Sequence, residues 1–382
     1  MIERSSYIKK IHQQLAIHSC CGLLGPRQSG KTTLSQQFAK TLPVETVVYL
    51  FDLEHPDDFA SLEEPMRVLE HITGLVILDE VQLAPAIFPT LRVLSDRKQA
   101  QYLILGSASP HLIKHASESL AGRIGTIELS PLHLGEVTSV QPLLTRGGFP
   151  KSYLAESDTL SMVWRQAYIQ SFLERDIPAL GFNIPARQLR RFWMMLTHVH
   201  GQQLNMHQIG ISLGISGHTV RHYLDILEGT FMLRVLQPWF ENIGKRQVKI
   251  PKLYFRDSGL LLSLLSIENY AQLLHHPMLG AIWEGFALEQ VLQYFSIPTQ
   301  EAFFWRTAQG AELDLFIQLH GKRIGFEFKF SDAPKKTPSM QIAIQDLKLN
   351  HLYVIYPGQR NYAIQDKISV VSLEDLGSLC LY

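Results

Sequence analysis

Short apolar runs separated by amphipathic spacers set the rhythm of the chain up to residue 150. Residues 20–24, 47–52, 75–78 and 102–105 are apolar enough to be buried strands, while 31–40 and 89–96 read as helices. Apolar strands alternating with helical spacers predict a buried parallel sheet. Gly147, Gly148, Phe149 and Pro150 break the rhythm, and 160–180 then predicts a helix on which Trp164, Tyr168 and Phe172 recur every four residues. From residue 184 the pattern changes. A long apolar helix over 189–198 precedes two short helices, 206–213 and 217–227, with Gly214, Ile215 and Ser216 between them. Strands are expected at 231–236 and 252–255, which makes a helix-turn-helix with a β-wing. From residue 259 a helix over 283–294 leads to strands at 302–305, 313–317, 324–328 and 352–356. The whole is an α/β chain in three parts, 1–183, 184–258 and 259–382.

The first strand runs into Gly25, Pro26, Arg27, Gln28, Ser29, Gly30, Lys31 and Thr32, followed by Thr33. This meets the phosphate-binding pattern G-x-x-x-x-G-K-[ST] in full, with a strand before it and a helix after it. Backbone N–H groups of such a loop point at phosphate oxygens from a helix N-terminus. Lys31 is placed to reach the β- and γ-phosphates of ATP, and Thr32 to ligate Mg²⁺. Asp79 follows four apolar residues, so it sits at the carboxyl end of a buried strand, where α/β sheets hold ligands. It suits a hold on Mg²⁺, and Glu80 beside it suits polarisation of the attacking water. Ser107 ends the next strand, either as a γ-phosphate sensor or as a simple turn serine. Arg123 ends an expected helix around 119–123. It reads as an arginine finger supplied to a neighbouring subunit's nucleotide, against the plainer reading of a surface salt bridge.

Two further constellations carry chemistry. The helix over 217–228 presents His218, Thr219, Arg221 and His222 in its first half, where a recognition helix meets base edges. Lys245, Arg246, Lys249, Lys252 and Arg256 cluster just beyond it and could hold phosphates. The alternative is a lid or protein-contact module. Near the C-terminus, Asp314 precedes Glu327 and Lys329, which share one strand face because side chains alternate. If their strands pair, the two carboxylates could hold Mg²⁺ and the lysine could orient water, with Glu284 as a further acidic ligand. An ordinary salt-bridged strand pair is the alternative.

The 35 basic and 35 acidic residues cancel, so any nucleic-acid surface must be local. Cys20, Cys21 and Cys380 are the only cysteines and no CxxC occurs, which argues against a disulfide framework or zinc site and for a reducing cytoplasm. The opening residues lack the apolar run of a signal peptide, and no stretch is long enough for a membrane helix.

Together these motifs resemble the bacterial and archaeal AAA-type ATPases that carry an AAA domain followed by a C-terminal DUF4143 domain. Residues 25–33, 75–82, 103–107, 119–124, 129–136, 147–150, 175–177, 219–227, 245–259 and 312–316 carry the resemblance. It implies a P-loop AAA+ fold, ATP with Mg²⁺, and a C-terminal domain similar to restriction-endonuclease folds. The chain departs from the pattern in having no clear second sensor arginine after the core. The expectation is an ATPase acting on DNA, partnered by ATP, DNA and further copies of itself, up to a hexameric ring. Its rival is a nucleotide-driven protein-interaction switch with a non-cleaving C-terminal domain.

Overall fold

The apolar runs of the first part become strands β1 (Cys20–Gly25), β2 (Val48–Asp52), β3 (Gly74–Asp79) and β4 (Ala100–Ser107), joined by β5 (Ile124–Glu128). They form one sheet in the order β2-β3-β4-β1-β5, every neighbour parallel. The structure is a computed structural model and describes residues 2–107, 119–241, 247–379 and 381. Cys380, Lys245, Arg246 and residues 108–118 lie outside the described residues, and the residues just before Arg123 form a turn where a helix around 119–123 is expected. The chain divides into two compact units, Met1–Pro131 with Gly229–Phe231, and Leu132–Glu228 with Met232–Tyr382.

In the first unit, period-two alternation loads both faces of the sheet. Cys21, Leu23, Leu75, Ile77, Leu103 and Leu105 share a core with Tyr7, Ile8, Ile11 and Leu15 of the helix Ser5–Ile17 and with Leu34 and Phe38 of the helix Lys31–Ala39. Cys20, Val76, Leu78, Tyr102 and Ile104 face the other way, onto Ile87, Phe88, Leu91 and Leu94 of the helix Ile87–Arg97. Burial pushes the Cys20 thiol up to about 11 and Cys21 to about 12, so both behave as apolar filler. Because the strands are parallel, Gly25, Asp52, Asp79 and Ser107 all arrive at one edge. Gly25 stands beside Ser107 and Asp52 beside Asp79.

The second unit holds a nine-stranded sheet, β13-β14-β12-β11-β10-β9-β7-β8-β6. Its strands are β6 (Gln202–Gln203), β7 (Leu233–Pro238), β8 (Lys252–Phe255), β9 (Ala302–Arg306), β10 (Glu312–Leu319), β11 (Lys322–Phe328), β12 (His351–Tyr356), β13 (Tyr362–Gln365) and β14 (Ile368–Ser372). Three helices, Ala186–Thr197, Met206–Leu213 and Gly217–Gly229, are interleaved with β6 and followed by the antiparallel pair β7–β8. The Asn205 side chain caps the second helix by accepting from Gln208 N–H (3.1 Å), and Gly214 ends it at φ 68°. β7 begins two residues later than the pattern suggested, after Phe231 at φ 62°. The expected aromatic ladder forms: Trp164 stacks on Tyr168 (5.2 Å), Tyr168 on Phe172 (6.3 Å), and Phe172 meets Trp193 (5.3 Å).

A buried histidine joins β8 to the helix Leu279–Tyr294. His200 Nδ1 accepts from Phe255 N–H (3.0 Å), which leaves Nε2 as the donor to the Ala281 carbonyl (3.1 Å). Gly285 makes room for the ring, since a Cβ there would lie 2.4 Å from Nε2. Burial drives the His200 pKa from 6.5 to about 4. The unfolded chain therefore takes up this proton before the native one does, so stability is lost as pH falls from 6.5 toward about 4. That window is worth about 3 kcal/mol. Equilibrium denaturation of the parent and His200→Asn across it is the check: the parent is expected to show the steeper pH dependence.

Candidate functional site

The loop between β1 and the helix Lys31–Ala39 is shaped by two left-handed residues, Gln28 at φ 63° and Gly30 at φ 96°. Only glycine takes the second without strain. Gly25 is constrained differently: a Cβ there would lie 2.2 Å from the Leu129 carbonyl oxygen. The Lys31 side chain is buried and donates to the Gly25 and Pro26 carbonyls (3.1 and 3.0 Å). Arg4, also buried, fastens the loop by donating to the Ser29 (3.2 Å) and Ser130 (3.0 Å) carbonyls. Arg27 pairs with Glu54 at 2.5 Å.

Thr32 Oγ1 donates to Asp79 Oδ2 (2.6 Å), and the other Asp79 oxygen accepts from Glu80 N–H (2.9 Å). Burial raises the Asp79 pKa, while the Thr32 hydrogen bond opposes the rise. Glu80 sits at φ 53°, a costly region for a side-chain residue that clusters at functional sites. Its carboxylate accepts from the Gln82 amide. Ser29 Oγ is buried with no partner among the described residues. A buried hydroxyl without a partner is costly, and a phosphate oxygen would satisfy this one. Lysine, hydroxyls and helix N-terminus together fit a nucleotide's phosphates. Thr32 and Asp79 are oxygen ligands of the kind Mg²⁺ takes.

Arg123 stands apart from these groups. It grips Asp96 through Nε (2.7 Å) and Nη2 (2.9 Å), and the ion pair holds the Asp96 pKa down.

In the second unit, the three expected C-terminal groups do meet. Lys329 Nζ lies 2.7 Å from Glu327 Oε2 and 3.8 Å from Asp314 Oδ2, and Asp314 also accepts from Phe328 N–H (3.0 Å). Glu284 joins from the helix Leu279–Tyr294, brought in by two residues of β8 that share a face. Tyr254 OH donates to Glu284 Oε1 (2.6 Å), and Lys252 Nζ lies 3.0 Å from the same oxygen. Lys252 also pairs with Glu312 and stands 3.9 Å from Asp314. Burial, followed by the Asp314 charge, pushes Glu284 up to about 7 and Glu327 up to about 8. Burial disfavours the charge on Lys252, yet Tyr254 and the carboxylates around it hold its pKa well above normal. Among the described residues no group of three or more His, Cys, Asp or Glu is arranged to hold a metal ion.

Lys252 thus corrects the expectation of a phosphate-holding cluster over 245–256: it is 3% exposed and bound to acids. Arg256 is similarly engaged, 3.7 Å from Glu289. Lys249 is exposed. On the helix Gly217–Gly229, His218, Arg221 and His222 are exposed, with Arg221 paired to Asp225 (2.8 Å), while Thr219 bonds Ser216 (2.8 Å).

Residues 18–138 match an AAA domain, 138–271 a domain of unknown function, DUF8612, and 279–376 another, DUF4143. The uncharacterized protein Rv2008c of Mycobacterium tuberculosis is 44% identical over 380 residues, covering 98% of this chain and 85% of that protein. An uncharacterized protein of Haemophilus influenzae is 24% identical over 292 residues, covering 68% of this chain and 72% of its own. Among solved structures, the Walker-type ATPase PABY2304 of Pyrococcus abyssi covers 69% of this chain and 96% of its own, with 13% identity and a TM-score of 0.47. A complete phosphate loop on β1, an acidic pair ending β3, a five-stranded parallel sheet and this succession of matched segments place the chain in the family of nucleotide-binding P-loop ATPases with an AAA domain and a C-terminal DUF4143 domain.

Proposed function

We propose that the chain hydrolyses ATP at the edge of the parallel sheet and couples that hydrolysis to DNA through the helical segment around 186–229. The observation that carries the first half is the Thr32–Asp79 hydrogen bond beside the buried Lys31 amine. Lys31 exchanges its two loop carbonyls for the β- and γ-phosphates, and Ser29 Oγ donates to a phosphate oxygen. Thr32 and Asp79 would hold Mg²⁺, which neutralises charge on the transferring phosphoryl group. Glu80 orients the attacking water and takes its proton as the bond from the γ-phosphorus to the ADP oxygen breaks. Ser107, beside Gly25 at the same edge, senses the γ-phosphate. Arg123 serves a neighbouring copy in a homo-oligomer and leaves Asp96 to do so.

The DNA half draws on the succession of helices and antiparallel strands over 186–255, which has the order of a winged helix. For the C-terminal sheet, Lys252 favours a nuclease-like fold that binds and does not cut. An ammonium group lies among Glu284, Glu312 and Asp314, where a nuclease would hold its metal.

Lys31→Ala is expected to abolish nucleotide binding. Glu80→Gln is expected to retain ATP while turnover stops. Equilibrium binding of a labelled nucleotide alongside phosphate release separates the two, and equal turnover by Glu80→Gln and the parent would remove the water-orienting role.

Arg123→Ala should bind ATP normally and hydrolyse it on the order of 10³-fold more slowly. Mixing it with Lys31→Ala chains should restore part of the activity, because each supplies what the other lacks. Absence of rescue in oligomers shown to be mixed would place Arg123 outside the site.

For the carboxylate cluster, the parent and Asp314→Ala are expected to leave supercoiled DNA equally intact with Mg²⁺ or Mn²⁺. Asp314→Ala leaves Lys329 with Glu327 and Lys252 with Glu284 and Glu312, and should bring the raised Glu284 and Glu327 pKa values down, which a carboxylate titration by NMR would show. Nicking by the parent that Asp314→Ala lacks would make the cluster a nuclease site instead.

A further inference from the structure

Between Ile177 and Leu224 the chain contains no aspartate or glutamate, although acids and bases balance over the whole sequence. The same 48 residues carry four arginines and five histidines. Three of those arginines, Arg187, Arg190 and Arg191, lie on the helix Ala186–Thr197. Leu189, Phe192, Trp193 and Leu196 bury the opposite side of that helix. Spacings of three and four bring Arg187, Arg190 and Arg191 onto one face, and all three are exposed.

Several arginines elsewhere in this unit have acidic partners, Arg146 with Asp158, Arg221 with Asp225, Arg234 with Glu289 and Arg323 with Glu241, whereas the exposed Arg175 has none among the described residues. Among the described residues, no carboxylate pairs with Arg187, Arg190 or Arg191. An ordinary solvated helix face mixes signs; this one has a single sign and no counter-charge in sequence reach.

The face also borders a cleft of about 490 Å³. Arg187, Gln188, Arg191 and Phe192 of this helix line it together with Leu213 and Gly214. Gly214 belongs to the turn between the helices Met206–Leu213 and Gly217–Gly229. The cleft therefore runs from the arginine face to the foot of the helix that exposes His218 and His222. Guanidinium forks match phosphate oxygens bidentately, and several on one face suit a repeating phosphodiester backbone.

We infer that Arg187, Arg190 and Arg191 form a phosphate-gripping surface that seats the backbone of duplex DNA alongside the helix Gly217–Gly229. The inference rests on the DNA-coupled reading above and gives it a location. The internal pairing of Lys252 and Arg256 removes those two from the expected basic cluster, while the three arginines of this helix stay exposed. Arg187 and Arg191 hold phosphates at the cleft and Arg190 holds the next along the face. These contacts set affinity and register, with little preference for sequence.

The test uses the full chain, a fluorescent duplex and anisotropy titrations at several salt concentrations from about 50 mM upward. The combined variant Arg187→Gln, Arg190→Gln, Arg191→Gln keeps good helix formers at exposed positions, and a thermal melt checks that it folds. Its affinity is expected to fall roughly tenfold or more, with the slope of log affinity on log salt shallower by about 2–3. The matching triple lysine variant keeps the charge and loses the forks. It should retain the parent's salt slope and bind more weakly, which also holds the test open if the glutamine variant fails to fold. Parent-like affinity and slope in the glutamine variant would overturn the surface and leave DNA coupling standing. Failure of the parent to bind duplex at the lowest salt would overturn both. Equal binding of polyglutamate by the parent, lost in the same variant, would assign the face to an acidic protein segment and overturn the DNA surface.

Discussion

The nucleotide edge of this protein depends on backbone room at Gly25. There β1 passes so close to Leu129 that a single added carbon would sit 2.2 Å from a carbonyl oxygen. The chain then turns through Gln28 and Gly30, both at positive φ, before the helix Lys31–Ala39 begins. Because β3 and β4 run parallel to β1, the same edge receives Asp79 and Ser107 without any long loop. Thr32, one residue into the helix, is then within 2.6 Å of Asp79. The carboxylate is thus fixed by sheet register, and the hydroxyl and the lysine amine by the first turn of the helix that follows β1, so the nucleotide edge is preorganised.

The second unit solves a different problem, that of too many buried acids. Glu284, Glu312, Asp314 and Glu327 come from one helix and two strands onto a single patch. Like charges at such separations cannot all stay ionised without cations between them. Lys329 supplies one from β11's continuation, and Lys252 supplies the other from β8. The raised pKa values of Glu284 and Glu327 record what the two lysines leave uncompensated. The strand that carries Lys252 also carries Tyr254 and, through Phe255 N–H, holds His200. Polar links therefore tie the 186–255 segment to the helix Leu279–Tyr294 from within one sheet.

Local signals were legible in the sequence and non-local ones were not. The phosphate loop is a contiguous pattern, and β1, β3 and β4 are apolar on both faces, so both could be read directly. β5 escaped because Ile124, Gly125, Thr126, Ile127 and Glu128 alternate and include a glycine. Arg4 escaped because its carbonyl partner Ser130 lies 126 residues away. Lys252 was misread for a related reason. Its sequence neighbours are basic, so it looked like one of a solvated cluster, whereas its partners Glu284, Glu312 and Asp314 arrive only when β8 meets the C-terminal sheet. Asp314, Glu327 and Lys329 were readable as a trio because strand alternation and hairpin pairing are short-range rules.

ATP hydrolysis driven by the first unit and answering to DNA is the central claim, and steady-state phosphate release by the parent chain tests it most directly. Release with Mg²⁺ is measured alone and with duplex DNA at saturating concentration. The expected result is turnover that rises when the duplex is added. Turnover that depends on protein concentration yet ignores saturating DNA would contradict it, and would make the chain a nucleotide-driven switch for protein assembly.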